Sequence, residues 1–190
     1  MNGIKNIRPS CTFQKTAFGP VAVLWSFYGN RPTILRIVLS KPDSPAGRLV
    51  EALFPEAEVG SCAEIDGIAD RIAEFLTGRD VRFPLEAVRM DRCPAFQRRV
   101  LLAERGIPRG RVSTYQRIAR HIGSSRGARA VGAALAANPF PVVIPCHRAV
   151  RSDGTVGGYQ GGPDMKRVLL EMEGVCFDGS GRVAAGQFFF

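Results

Sequence analysis

The tetrad Pro145-Cys146-His147-Arg148 puts a thiol directly beside one of only 2 histidines in the chain and close to a guanidinium. The thiolate, not the thiol, is the nucleophile, and a neighbouring imidazole or cation lowers the cysteine pKa. Pro139, Pro141 and Pro145 stiffen the loop that carries it. A Cys-His pair alone is a weak signal, because most intracellular cysteines are small buried hydrophobes. That plainer reading suits Cys11, Cys62, Cys93 and Cys176. The 5 cysteines are odd in number, and they form no Cys-x-x-Cys pair with histidines at ligand spacing. A structural zinc site and a disulfide framework are therefore not expected, and no cofactor is implied.

The elements upstream decide how much weight the tetrad can bear. Pro94 opens a helix with Phe96, Val100, Leu101 and Ala103 inward, ending near Gly106. Thr114 is a suitable cap for a short helix from Tyr115 to His121, and Gly123 breaks it. Ser125 is expected to cap a third helix that runs to about Ala137. Two short helices joined by a glycine-containing turn read as a helix-turn-helix. In the third helix Ala128, Val131 and Leu135 share one side, while Arg129 points away among Gly132, Ala133 and Ala136. A major-groove recognition helix carries several long polar side chains. This smooth face suits close approach to a narrow groove with one inserted side chain. A tight helix–helix contact explains the face equally well.

Charge favours the nucleic acid. The chain carries a net charge of +9. Between residues 92 and 151 the sequence holds twelve arginines and a single acid, Glu104. An arginine-rich proteome explains Arg over Lys; it does not explain the missing acids, and an electropositive surface for a polyanion does. No apolar run reaches membrane-span length and no signal peptide is evident, so an intracellular protein without a membrane partner is expected.

Two domains are expected, in an α/β (α+β) fold. Residues 1–88 read as a small antiparallel-sheet domain with helices. Its strands are expected near Cys11–Lys15, Val21–Tyr28 and Thr33–Leu39, its helices near Pro45–Phe54 and Glu64–Leu76, with a further short strand at Val81–Phe83. Residues 92–190 form a mainly helical domain. After the thiol loop, Ser152-Asp153-Gly154 reads as a hairpin turn and 157–162 as a glycine-rich surface loop without P-loop character. Asp164–Glu173 reads as a helix with Met165, Val168, Leu169 and Met172 inward.

Taken in order, Phe96-Gln97, Ile107-Pro108-Arg109-Gly110, Thr114-Tyr115, Arg129-Ala130-Val131-Gly132, Asn138-Pro139, the tetrad, Gly158-Tyr159 with Gly161-Gly162, and Glu173-Gly174 resemble the methylated-DNA–protein-cysteine methyltransferases, the O6-alkylguanine-DNA alkyltransferase family. The resemblance spans roughly residues 94–178; the first half fits only loosely. It implies single-turnover DNA repair by a monomer acting on double-stranded DNA, in the cytoplasm or, in a eukaryote, the nucleus. Cys146 would accept the alkyl group, His147 would take its proton through a water, and Glu173 would orient the imidazole. Asn138 would fix the loop. Tyr115 would turn the nucleotide phosphate and protonate the departing guanine. Arg129 would fill the vacated stack, with Ala130, Gly132, Ala133 and Arg148 at the DNA, and Tyr159, Gln160 and Gly161 would cover the flipped base. Gln160 stands where many members carry Ser, and Leu102 where many carry Trp. Three other readings remain: an alkyltransferase-like lesion sensor, which would lack Cys146; a helix-turn-helix regulator; and a cysteine hydrolase, which leaves the arginines unexplained.

Overall fold

The computed structural model describes residues 8–190, and the chain divides into two compact units, one ending at Arg89 and the other running Met90–Phe190. In the first unit, β1 (Ser10–Gln14), β2 (Val21–Tyr28) and β3 (Arg31–Leu39) form the expected antiparallel meander. After α1 (Ala46–Leu53), a two-residue β4 (Glu58–Val59) pairs parallel with β1, giving the order β3-β2-β1-β4. Such a short strand has no alternation to read in sequence. β2 is buried at every position from Val21 to Trp25, which needs cover on both faces of the sheet. α1 seals Ala22, Leu24 and Val38 with Ala46 and Val50. α2 (Ala63–Phe75) turns Ile65, Ala69, Ile72 and Phe75 inward, also against the sheet. The short strand expected at 81–83 does not form. Pro84 cuts the run short and has no N–H to donate, and the β3 edge instead meets Val88 in an isolated bridge at Ile34.

The second unit is built around three helices. α3 (Ala95–Arg105) packs against α4 (Tyr115–His121) and α5 (Ala128–Ala136), with Val100, Leu101, Ile118, Ala119, Val131 and Leu135 buried. Each of the Val, Leu and Ile side chains among them contributes roughly 1.5–3 kcal/mol on burial. The Thr114 side chain caps α4 by accepting from the Arg117 amide at 3.1 Å. Ser125 does not cap α5. A turn in which the Gly127 amide donates to Ser124 delays the helix, and Gly127 takes the cap position.

Two strands of two residues each carry the key long-range link. β5 (Ser113–Thr114) pairs parallel with β6 (Ala149–Val150), joining Ser113 to Ala149 and Thr114 to Val150. The residue before Tyr115 is thereby tied to the segment just after the tetrad. Ser152-Asp153-Gly154 does form a turn, with Asp153 accepting from Thr155. It does not form a hairpin ladder; the turn is closed locally between Arg151 and Thr155. α6 (Pro163–Met172) closes the unit. It turns Met165 and Leu169 inward as expected, but Val168 is only half-buried and Met172 is exposed, while Leu170 and Lys166 are fully buried instead. Among the described residues no helix is long and apolar enough to cross a membrane.

Candidate active site

Cys146, His147 and Arg148 form one tight 3-10 turn against α3 and α6, with Cys146 and His147 buried. The turn is held from the end of α5. The Asn138 side chain accepts from the Phe140 amide at 2.9 Å and donates both to the Ile144 carbonyl and to Cys146 Sγ, each at 3.1 Å. Between these anchors Val142 adopts a φ of 75°. For a β-branched residue that conformation costs about 1–3 kcal/mol and persists only where its surroundings over-determine it.

Behind the thiol stands a carboxylate with two partners. His147 Nε2 lies 3.1 Å from Glu173 Oε1. Arg148 donates to both Glu173 oxygens, at 2.8 and 2.7 Å, and to the Ile107 carbonyl at 2.6 Å. Burial pushes the Glu173 carboxyl up, but the hydrogen bonds and charges of His147 and Arg148 outweigh it and hold it at about 2. Glu173 is therefore ionised at neutral pH. Desolvation lowers the His147 pKa against the pull of Glu173, leaving a neutral imidazole able to accept a proton.

Two expectations change here. The tetrad suggested a thiol activated by its neighbours, but burial pushes Cys146 up to about 12, and the Asn138 hydrogen bond offsets only part of that. The resting group is a protonated thiol. Arg148, expected at the DNA, is committed to Glu173 with its side chain only 11% exposed. A bidentate guanidinium–carboxylate pair of this kind is a structural clamp.

Of the remaining predicted residues, Tyr115 and Tyr159 lie near the thiol. Tyr115 opens α4 beside it; burial raises its pKa first, and the charges of Glu104 and Cys146 add to the rise. Gly157 has a φ of 73°, and a Cβ there would come within 3.1 Å of the Tyr115 hydroxyl, so only glycine lets the loop pass the phenol. Tyr159 stands edge-on to His147, ring centroids 6.1 Å apart, and its buried hydroxyl has no hydrogen-bond partner. Gly161 is buried, and a Cβ there would strike the Met165 sulfur. The Gln160 side chain donates to the Asn138 carbonyl at 2.6 Å, tethering the loop to the end of α5. On α5 itself Arg129, Ala130 and Ala133 are exposed and Gly132 is half-buried. Glu104, the only acid among residues 92–151, is fully buried, so that stretch presents arginines and no carboxylate to solvent.

Sequence reasoning missed Lys166 and Glu104. Lys166 Nζ donates to the Ala149 carbonyl at 2.6 Å and to the Gly158 carbonyl at 3.2 Å, fixing the glycine-rich loop from below. A lysine within an amphipathic helix gives no local sign of burial. Residues 157–162 are thus a tethered cover rather than a free loop. Gln160→Ala is expected to release one tether. Proteolysis within 157–162 should become several-fold faster, as expected when a hydrogen bond worth about 1 kcal/mol is lost, while the melting temperature stays close to the parent. Unchanged cleavage would show that Lys166 and packing hold the loop without Gln160.

A buried thiol, an imidazole and an ionised carboxylate lie together here, in a unit whose packed helix pair presents a smooth, small-residue face. Residues 95–175 match the family model "6-O-methylguanine DNA methyltransferase, DNA binding domain". A methylated-DNA–protein-cysteine methyltransferase of Mycobacterium leprae is 34% identical over 130 residues, 66% of this chain and 77% of that protein. Its namesake from Methanothermobacter thermautotrophicus is 49% identical over 115 residues, 60% of this chain and 64% of that protein. The solved structure of Mycobacterium tuberculosis OGT in complex with DNA superposes with a TM-score of 0.65 at 28% identity, covering 86% of this chain and 92% of that one. The chain belongs to the methylated-DNA–protein-cysteine methyltransferase family. Its matches span just under two thirds of the Methanothermobacter thermautotrophicus relative and of another from Salmonella typhimurium, 64% and 63% of their lengths.

Proposed function

We propose that this protein repairs O6-alkylguanine in duplex DNA by moving the alkyl group onto Cys146 Sγ. The observation that carries the proposal is the Cys146 thiol fixed by Asn138 at 3.1 Å and backed by the His147–Glu173 pair, in a chain of this family. An alkyl group on O6 lies inside the duplex, so the nucleotide must leave the stack before sulfur can approach in line. The exposed arginines supply affinity that does not depend on sequence, as lesions at any sequence require. Asn138 holds the sulfur, and the cover 157–162 closes over the base.

Because the resting thiol is protonated, it needs a base. His147 takes the proton through water, and Glu173 steadies the imidazolium that forms. Sulfur then attacks the alkyl carbon, an S–C bond forms and the C–O6 bond breaks. Tyr115 donates to the departing guanine and recovers a proton from His147, so that the net transfer is the thiol proton to guanine. A thioether offers no ready route back, and each molecule acts once. The place of action follows the substrate: the cytoplasm, or the nucleus of a eukaryote. Incubation with a duplex containing O6-methylguanine, followed by peptide mass mapping, should find one added methylene on the Cys146 peptide. Modification at Cys93 or Cys176 instead, or repeated turnover, would overturn the proposal.

Arg129 serves the flipped state. It projects from a helix face otherwise made of Ala130, Gly132 and Ala133, which lets the helix approach the minor groove closely. Arg129→Ala should slow repair of duplex DNA by about 10- to 100-fold, the worth of a few kcal/mol of unstacking. Free O6-benzylguanine, which needs no flipping, should react at nearly the parent rate. Equal loss on both substrates would show a damaged active site rather than a lost intercalator.

A further inference from the structure

Glu104 is the one feature of this site that repair chemistry leaves unexplained. It lies on the inner side of α3, fully buried; the Ala149 amide eases its charge, but neither carboxylate oxygen sits in a hydrogen bond of good geometry. α3 packs directly against the turn that carries Cys146. A buried carboxylate so poorly hydrogen-bonded is costly, and an apolar side chain of similar size would fill the space at less expense. Its surroundings are the thiol's surroundings. Lys166 on α6, Arg148 on the thiol turn, Tyr115 on α4 and Cys146 itself all feel its charge. Cys146 faces, besides these, His147 in its own turn, Tyr159 from the loop cover and Glu173 behind the imidazole. Lys166 draws the opposite way, its ammonium favouring a thiolate.

We propose that Glu104 is a positioning residue that restrains the Cys146 thiol: buried against the thiol turn and opposed to Lys166, it disfavours the thiolate wherever it carries its charge. A protein that spends its nucleophile once gains from a thiol that resists stray electrophiles. Lys166 supplies the counterweight and, through Gly158, links it to the loop cover over the base. The inference rests on the alkyl-transfer reading only for its consequence in repair.

Burial raises the Glu104 pKa to about 8. Its negative charge is therefore absent well below that pH and develops as pH rises through it, which fixes the sign and the window of the test. The second-order rate of iodoacetamide with Cys146, located by mass mapping, is to be measured from pH 6 to 9.5. Glu104→Gln should match the parent near pH 6 and exceed it increasingly above pH 8. The expected excess reaches about tenfold, the equivalent of one pKa unit. Glu104→Leu should behave alike and melt higher than the parent, which guards against a folding artefact. Lys166→Met should shift the profile the other way. A purely structural role would change Cys146 labelling by the same factor at every pH, through altered exposure of the buried thiol. Equal or slower labelling in both Glu104 variants overturns the proposal. Should the parent fail to repair an O6-methylguanine duplex, the functional reading falls while the labelling profiles still decide the role of Glu104.

Discussion

Cys146→Ser is expected to lower alkyl transfer by at least about a thousandfold, since a serine hydroxyl at neutral pH is a far weaker nucleophile than a thiolate. Duplex affinity should stay within about twofold, because phosphate contacts carry it. The arginines that would make those contacts line other elements, and Cys146 is only 6% exposed. Transfer is measured by movement of label from DNA to protein, and affinity by titration at two salt concentrations. A serine variant that still transfers label would assign the chemistry elsewhere. One that loses binding as well would show that Cys146 supports the fold of the turn.

Glu173→Gln should be the second large effect, and it should fall on stability and rate together. Glu173 is the shared partner of a buried imidazole and a nearly buried guanidinium. Removing its charge leaves Arg148 uncompensated, which costs about 3–5 kcal/mol where one partner of a buried pair is lost. The pH dependence carries a distinct sign. The folded pKa of about 2 lies below that of an unfolded glutamate. The stabilisation is thus complete above about pH 4.3 and is lost as pH falls toward 2. Urea unfolding curves of parent and variant should lie far apart at pH 7 and converge near pH 2. A glutamine can donate to His147 Nε2 and impose the wrong tautomer, so transfer should fall by about 100- to 10,000-fold. A constant gap in stability from pH 7 down to pH 2 would mean that the loss is one of packing rather than charge.

The local pattern of residues already specified much of the second unit. Thr114 as a cap, the period of Val100, Ile118, Val131 and Leu135, and the small outer face of α5 depend on neighbours within one turn of helix. Local chemistry is enough to set them. The tetrad and Asn138-Pro139 pointed to the thiol for the same reason. What the thiol can do was decided elsewhere. Desolvation scales with everything packed around a group, so the rise in the Cys146 pKa became visible only once α3, α6 and the loop cover were in place. Arg148 lies two residues from Cys146 yet answers to Glu173, twenty-five positions away. Gln160 is a tether because the end of α5 lies beneath it, and Lys166 is buried because Ala149 and Gly158 turn carbonyls toward it. The β5–β6 pairing that brings Tyr115 beside Cys146 consists of two residues on each side, too few to leave a period in sequence. Sequence by itself determined which residues could react and which helices would carry them. Charge states, clamps and covers came from contacts between distant segments, since burial and long-range pairing are properties of the packed chain and of no single stretch within it.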